Sequence, residues 1–393
     1  MKGIFSSFIF CFVAANLSGQ ISISFDVLEN MPGPGRDDAV AFVAGQRAYA
    51  GLGSFGPNGG FEIKNDLWRY NHQIDTWSQV DPLPGAPRQY AMSFSYLEKG
   101  IVFGGHNNSA FFDELWTFSE VSSWQLISLH PGGARAAGAG FILEDELYIG
   151  TGRDDALYYN DFWKYNFTTG MWTELPPFPG GLRFETIGFV RNGNGYLGMG
   201  RDENLAFKND LWEFDPLNQS WEEVCSFDEA IAYSKSEFKE GRALLFGGQT
   251  ASSALSSKAF ILDQQCQTYE FESGLEARRG CASFQLEDDC YFFGGLLENG
   301  QKSNQLVRLT LEEESFPTFE LISYTWSNKL FFDAPSTVEE IHIYDSKGML
   351  VAHYMPNANK GSIDLENATN GIYLIRIRSD KSIKSYKALV ISN

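Results

Sequence analysis

The chain has 393 residues, a formal charge of −20 and a 15% share of aromatic residues. So acidic a body repels nucleic acid and anionic membrane surfaces, which excludes both as partners. Frequent Gly and aromatics, with few windows of helical periodicity, exclude a helical fold and favour many short strands joined by tight turns.

In chain order, residues 1–19 read as a signal peptide: Lys2, an apolar run from Ile4 to Ala15, then Leu17-Ser18-Gly19 before Gln20. That run is too short to span a bilayer, and no later segment is apolar enough to cross one. Cys11 stands behind Phe10 rather than a small residue, which argues against a lipoprotein anchor. Next comes a lone strand, "ISISFDVLEN". A repeat follows, visible in "NDLWRY" (65–70), "DELWTF" (113–118), "NDFWKY" (160–165) and "NDLWEF" (209–214), with degenerate copies "SKAFIL" (257–262) and "NQLVRL" (304–309). The register residues Trp68, Trp116, Trp163, Trp212, Phe260 and Val307 are spaced by 48, 47, 49, 48 and 47. So steady an interval over six copies means a repeat architecture.

Other landmarks keep step. Each copy has a glycine pair before the aromatic, and Trp77, Trp124, Trp172, Trp221 and Tyr269 follow it. Arg36, Arg88, Arg135, Arg183 and Arg278 stand 17 residues before the second glycine of their pairs, a slot that Ile231 holds in the fifth unit. Each unit reads as four strands, with the glycines ending a buried strand where the backbone bends or meets a neighbour. This pattern resembles the kelch repeat over about residues 21–316, which implies a six-bladed β-propeller. Phe25 lies 11 residues before Arg36, the offset that Trp77, Trp124 and Trp172 keep from the next arginine. The N-terminal strand is therefore expected to complete blade six and close the ring. Phe316 offers a rival local strand, but Pro317 follows it directly. The expected propeller domain spans 20–316.

Residues 317–393 lose the rhythm, and eight Lys/Arg balance eight Asp/Glu from Phe319 to the end. The acidity therefore lies upstream. "IHIYDSKGMLV" reads as a hairpin in a small Ig-like antiparallel β-sandwich. The stretches "SNKLFF", "IHIYDSKGMLV", "IDLENATNGIYLIRI" and "KSYKALVIS" resemble the type A sorting domain of the type IX secretion system, although "SYTWSNK" stands where its usual opening would be. The resemblance implies passage across the outer membrane by the type IX secretion machinery, a secreted or cell-surface product and a Bacteroidetes-type host.

Of the five cysteines, Cys225, Cys266, Cys281 and Cys290 remain after leader removal, with three pairings open and no zinc-like spacing. No catalytic motif is present, and neither metal nor cofactor is expected. The arginine slot and the loops after the glycine pairs meet at one channel mouth in kelch propellers. Arg36, Arg88, Arg135, Arg183, Arg278, His106, Arg153 and Arg201 are therefore the candidate ligand residues, because guanidinium groups pair bidentately with carboxylates. Asp37, Asp38, Asp154, Asp155 and Asp202 are the acids placed to neutralise them. The expected function is a binding module for an anionic glycan or acidic protein segment. A sialic acid mutarotase or epimerase working at the same mouth is the alternative. Asn65 and Asp66 of the recurring phrase are expected to bond the turn entering their strand.

Overall fold

The computed structural model describes residues 21–56, 62–227, 229–239, 242–262, 268–313, 329–345, 349–364, 371–379 and 383–390. The expected leader at residues 1–19, Cys266, Phe316, Pro317 and residues 346–348 of the expected hairpin lie outside them. Among the described residues every regular element is a strand, and no helix is long and apolar enough to cross a membrane.

Six four-stranded antiparallel sheets make up the first unit. Their innermost strands are Val40–Ala44, Met92–Tyr96, Ala139–Leu143, Ile187–Arg191, Lys235–Lys239 and Ala282–Leu286. Each of these touches the innermost strand of the next blade, and the sixth touches the first, so the six sheets form a closed ring. The outer strand of blade six is Ile21–Val27, paired with Leu306–Glu313. Closure continues past that strand, where Leu28 N donates to Leu306 O at 2.9 Å and Met31 N to Asn304 O at 3.1 Å. A ring closed this way leaves few free sheet edges.

Alternation along each inner strand sets the packing between blades. Val40, Phe42 and Ala44 pack with Leu83, Ala91 and Val102 of blade two, while Ala39 and Ala41 pack with Ala282 and Phe284 of blade six. The outer-strand tryptophans staple each blade to the one before it. Trp77 Nε1 donates to Glu29 O (2.8 Å), Trp124 to Asp81 O (3.0 Å), Trp172 to Ser128 Oγ (3.0 Å) and Trp221 to Pro176 O (3.1 Å). Phe25 fills the same slot in blade six, with its ring 6.1 Å from that of Phe246 in blade five.

The second glycine of each pair is fixed by its surroundings. Gly152 has φ +93°, and a Cβ there would stand 2.8 Å from Ala136 O. The position before it is also left-handed, yet Leu52, Thr151 and Met199 occupy it at φ 56°, 59° and 56°. That position is itself glycine in blades two, five and six, where a Cβ on Gly104, Gly247 or Gly294 would stand 2.5 Å from a backbone carbonyl oxygen, and the second position is glycine in all six.

The second compact unit begins at Glu312. Its strands Lys329–Tyr344, Leu350–Tyr354, Ala358–Asp364, Gly371–Ser379 and Ile383–Val390 form one antiparallel sheet. The long first strand pairs with Ala358–Asp364 along its first half, then with Leu350–Tyr354 and Gly371–Ser379. Register breaks between Asp333 and Val338, a stretch holding Pro335, which has no N–H for the ladder.

Candidate functional site

The arginines of the repeat stand where the spacing puts them, at the start of the inner strands, but they do not face a mouth. Arg36, Arg88, Arg135, Arg183 and Arg278 are no more than 1% exposed. Each donates to the carbonyl of the residue before the conserved glycine, as Arg183 does to Met199 O at 2.9 Å. Each also binds the residue two places before the register aromatic: Arg36 to Asp66, Arg88 to Glu114, Arg135 to Asp161, Arg183 to Asp210 and Arg278 to Gln305. The shortest bond in each of the first four is 2.5 to 2.6 Å. The same carboxylate accepts the indole N–H of Trp68, Trp116, Trp163 or Trp212.

The recurring phrase is therefore half of a lock, and the arginine is the other half. Burial alone would raise the Asp161 carboxyl, but Arg135 and Trp163 outweigh it and hold it below the usual carboxylate range. Asn65 does not bond the turn entering its strand. It donates to Leu83 O (3.0 Å), tying down the chain leaving its own blade. The expected ligand-facing ring does not hold for these five: their guanidiniums are buried at the lock, Nε of Arg36, Arg135 and Arg183 enclosed there without a partner among the described residues, and no surface is left for a ligand.

His106, Arg153 and Arg201 do gather at the axis. They follow the glycine pairs of blades two, three and four, each bridged to the backbone of its own blade. Rings and cations alternate from one blade to the next. Tyr90 stacks on His106 (5.6 Å between centroids), and His106 on Phe111 (4.8 Å). Arg153 lies between Phe111 (5.8 Å) and Phe184 (5.9 Å). Arg201 lies over Phe184 (4.7 Å) and Tyr233 (4.9 Å), and Arg279 over Tyr233 (4.1 Å). Tyr233 lies 6.4 Å from Tyr90, which returns the series to its start.

A second ring was not anticipated. Asp38, Tyr90, Ala137, Glu185, Tyr233 and Gly280 occupy one position per blade, two residues after the arginine slot, and all have positive φ. Tyr90 N donates to Asp38 O, Ala137 N to Tyr90 O, Glu185 N to Ala137 O, Gly280 N to Tyr233 O and Asp38 N to Gly280 O, at 2.6 to 3.0 Å. Five of the six blade junctions are thus joined backbone to backbone near the axis, in a conformation non-glycine residues rarely adopt. The constant offset from the arginine was the available signal, but side chains as different as Asp, Ala and Tyr concealed it.

The ring's side chains carry the site's electrostatics. Arg201 Nε and Nη2 donate to Glu185 Oε2 (2.8 Å) and Oε1 (2.9 Å), and Arg201 also donates to Tyr233 Oη. Burial still keeps the Glu185 carboxyl above its usual range. Asp38 is raised well above, by burial and then by the charge of Asp37, against the pull of Arg279 and Tyr90. Asp37 pairs with Lys302 (2.7 Å) and Asp202 with Lys208 (2.8 Å), while Asp154 caps its own loop through the N–H groups of Ala156 and Leu157. None of these three neutralises Arg153, which has no ion pair or side-chain hydrogen bond among the described residues. Nε2 of His106 and Nη1 of Arg279 are buried without a partner.

An axial cavity of about 560 Å³ runs between the inner strands, lined mostly by Ala, Gly, Ser and Phe. Blade five alters it. Where the other blades carry Phe42, Phe94, Phe141, Phe189 and Phe284, it carries Glu237, and Lys235 replaces an apolar residue two places earlier. Burial lifts Glu237 to about 7, against its bond to Ser283 and the charge of Lys235. Burial likewise lowers Lys235. The remaining propeller histidines lie elsewhere: His72 contacts Glu287 (3.2 Å), and His130 is buried, which drops it to about 4. Cys225 is disulfide-bonded, whereas Cys281 and Cys290 are free and buried.

With this geometry in place, known proteins place the chain. The family model described as KLHDC2/KLHL20/DRC7 Kelch-repeats domain matches residues 55–183, and the model described as Secretion system C-terminal sorting domain matches residues 325–392. The chain is a kelch-repeat propeller with a sorting tail. The kelch chain is 31% identical over 112 residues to Tip elongation aberrant protein 1 of Schizosaccharomyces pombe, covering 26% of this chain and 10% of that protein. It is 23% identical over 279 residues to Leucine-zipper-like transcriptional regulator 1 of Mus musculus, covering 64% of this chain and 33% of that one. It therefore spans a third or less of the curated relatives it matches. The solved structure of YjhT superposes with a TM-score of 0.60 at 14% identity, covering 72% of this chain and 99% of that chain, a likeness of fold. The sorting tail implies secretion or export to the cell surface and engagement of the type IX secretion machinery.

Proposed function

We propose that this exported kelch propeller is a binding module whose axial mouth takes an anionic ligand, an acidic sugar or an acidic peptide segment. Arg153 carries the reading: a half-buried cation held between Phe111 and Phe184, with no acid or acceptor of its own among the described residues. A partly desolvated guanidinium in that position gains most from an incoming carboxylate, and the flanking rings offer an apolar sugar face a platform. The unpartnered Nη1 of Arg279 adds a donor along the same arc, and Nε2 of His106, whose Nδ1 donates to Asn107 O, adds an acceptor. The leader at residues 1–19 and a surface location in a Gram-negative host belong to the same reading. Binding of the propeller to an array of acidic and neutral glycans, followed by calorimetry, tests it. Acidic glycans are expected to bind and Arg153→Ala to weaken them at least tenfold. Binding confined to neutral glycans, or unchanged in Arg153→Ala, refutes it. Arg135 and Arg183 are unsuitable for this test because both lie inside the lock.

A second reading is a sugar mutarotase or epimerase. It is favoured by Glu185 and Asp38, two carboxyls raised toward the range of a general acid, with Tyr233 bonded to the same arginine as Glu185. Accelerated anomer exchange of an acidic sugar by the native chain, lost in Glu185→Gln, would favour it over simple binding.

A further inference from the structure

The sorting tail carries a cluster that its likeness to other sorting domains does not explain. On the strand Lys329–Tyr344, Ile341 and Ile343 point inward, at 0% and 2% exposure, so Glu340 and His342 project from the opposite face. His353 on the strand Leu350–Tyr354 pairs directly with His342 across the ladder. The two imidazoles stack in parallel, 4.4 Å apart and 4° from coplanar. Both reach one carboxylate oxygen: Glu340 Oε1 lies 3.0 Å from His353 Nε2 and 4.0 Å from His342 Nε2. One ligand atom from each of the three residues falls within 4.8 Å of the others.

We propose that Glu340, His342 and His353 form a binding site for a divalent transition metal, zinc by preference. Two imidazoles and a carboxylate are a borderline nitrogen and oxygen donor set, which suits zinc and disfavours magnesium or calcium. Zinc bonds of about 2.0–2.1 Å in a tetrahedron place donors roughly 3.4 Å apart. The 3.0 and 4.0 Å separations bracket that value, so small side-chain rotations complete the set. A fourth position stays open to solvent, since His353 is 38% exposed.

The carboxylate is also held from behind. Arg378, on the strand Gly371–Ser379, lies 3.3 Å from Glu340 Oε2 and 3.3 Å from Glu339, leaving Oε1 turned to the histidines. Such outer support fixes a ligand's orientation and is commonly worth 10- to 100-fold in affinity. Arg376, paired with His342 on that same strand, adds positive charge, so the site is expected to bind with moderate rather than extreme affinity. The cysteine pattern that made a metal unexpected has no bearing here, because the site uses no thiol.

The test is calorimetry of zinc into the EDTA-stripped full chain, with cobalt(II) as a coloured probe. One equivalent of zinc is expected, with the visible bands of a tetrahedral or five-coordinate cobalt complex. His353→Gln should weaken binding at least tenfold and abolish those bands, and Glu340→Gln should weaken it to a similar degree. Circular dichroism of each variant separates loss of metal from loss of fold. His72→Gln serves as a control that leaves the site intact. Absence of zinc uptake by the native chain overturns the proposal, as does uptake that persists unchanged in both site variants.

Discussion

Blades one to four and blade five solve the same packing problem in opposite ways. In the first four, a buried arginine, a carboxylate and an indole form a closed set of hydrogen bonds between the start of the inner strand and the third strand. In blade five all three are replaced together: Ile231 for the arginine, Lys258 for the acid and Phe260 for the tryptophan. Ile231 is 3% exposed and packs with Phe227 and Met199, while Lys258 turns to Glu270 at 2.6 Å. Blade six is intermediate, keeping Arg278 but pairing it with neutral Gln305 at 2.9 Å. In blades one to five the three parts are kept or lost together, as expected where a lone buried charge is worse than none, whereas blade six keeps its buried arginine against a neutral amide. Its loss in blade five coincides with Lys235 and Glu237, charged residues at inner-strand positions that are apolar in the other blades.

The largest effect should come from breaking one lock on one side only. Asp161→Ala leaves Arg135, 0% exposed, as an uncompensated buried cation and should destabilise the propeller by about 3–5 kcal/mol. Arg135→Met with Asp161→Ala removes both charges, as blade five does, and should cost less than Asp161→Ala alone. Thermal unfolding of the two singles and the double closes the cycle. Strictly additive losses would break the contrast between the blades, because the arginine and acid would then be independent contributors.

The two regions should also respond to pH with opposite sign. Asp66, Glu114, Asp161 and Asp210 are all depressed when folded: burial opposes it, but the arginine and indole bonds prevail. Their contribution is present above the unfolded carboxylate pKa near 4 and is lost as pH falls through the lower folded values. Glu237 runs the other way. With a folded pKa of about 7, it binds more protons folded than unfolded, so stability falls as pH rises from about 4.5 to about 7. The limit is on the order of 3 kcal/mol, less wherever water in the cavity screens it. Asp38 and Glu185 act in the same direction. His130, held at about 4 when folded, works against this trend below about pH 6.5, so the reading is the difference between two chains: from pH 4.5 to 8 the melting temperature of Glu237→Gln should rise relative to that of the native chain. Parallel curves would show that blade five's carboxyl is solvated like any surface acid.

The fold was legible because its determinants are periodic. Six copies of glycine, aromatic and tryptophan fix the blades, and Phe25 at a constant offset marks the strand that closes the ring. The site was legible only in part. His106, Arg153 and Arg201 could be placed after the glycines because that slot is positional. What the ring arginines touch could not, since a partner 26 to 30 residues away near the third strand leaves no local pattern. Asp66 and its equivalents lay inside the recurring phrase, but a short acid beside tryptophan reads equally well as a turn residue. The left-handed ring at Asp38, Tyr90, Ala137, Glu185, Tyr233 and Gly280 is a backbone feature, and backbone angles impose little on residue identity where side chains face an open axis. Glu237 and Lys235 stood in plain sight as a break in a phenylalanine column. Only the packing of blade five against blade six gives that break a meaning.

The smallest expected effect on stability is also the sharpest on the mouth. Arg153 and Arg201 hold equivalent positions in adjacent blades and both lie against Phe184, yet only Arg201 has a carboxylate. Arg201→Ala strands Glu185, whose side chain is 6% exposed, and should cost about 1–3 kcal/mol unless the carboxyl takes up a proton. Glu185 is already poised to do so, and the loss should therefore shrink as pH is lowered. Arg153→Ala removes a cation that compensates nothing, so its unfolding free energy should match that of the native chain to within about 0.5 kcal/mol at every pH. Equal destabilisation by the two variants would mean that Arg153 has a structural partner after all, and the mouth would then have no cation left over for a ligand.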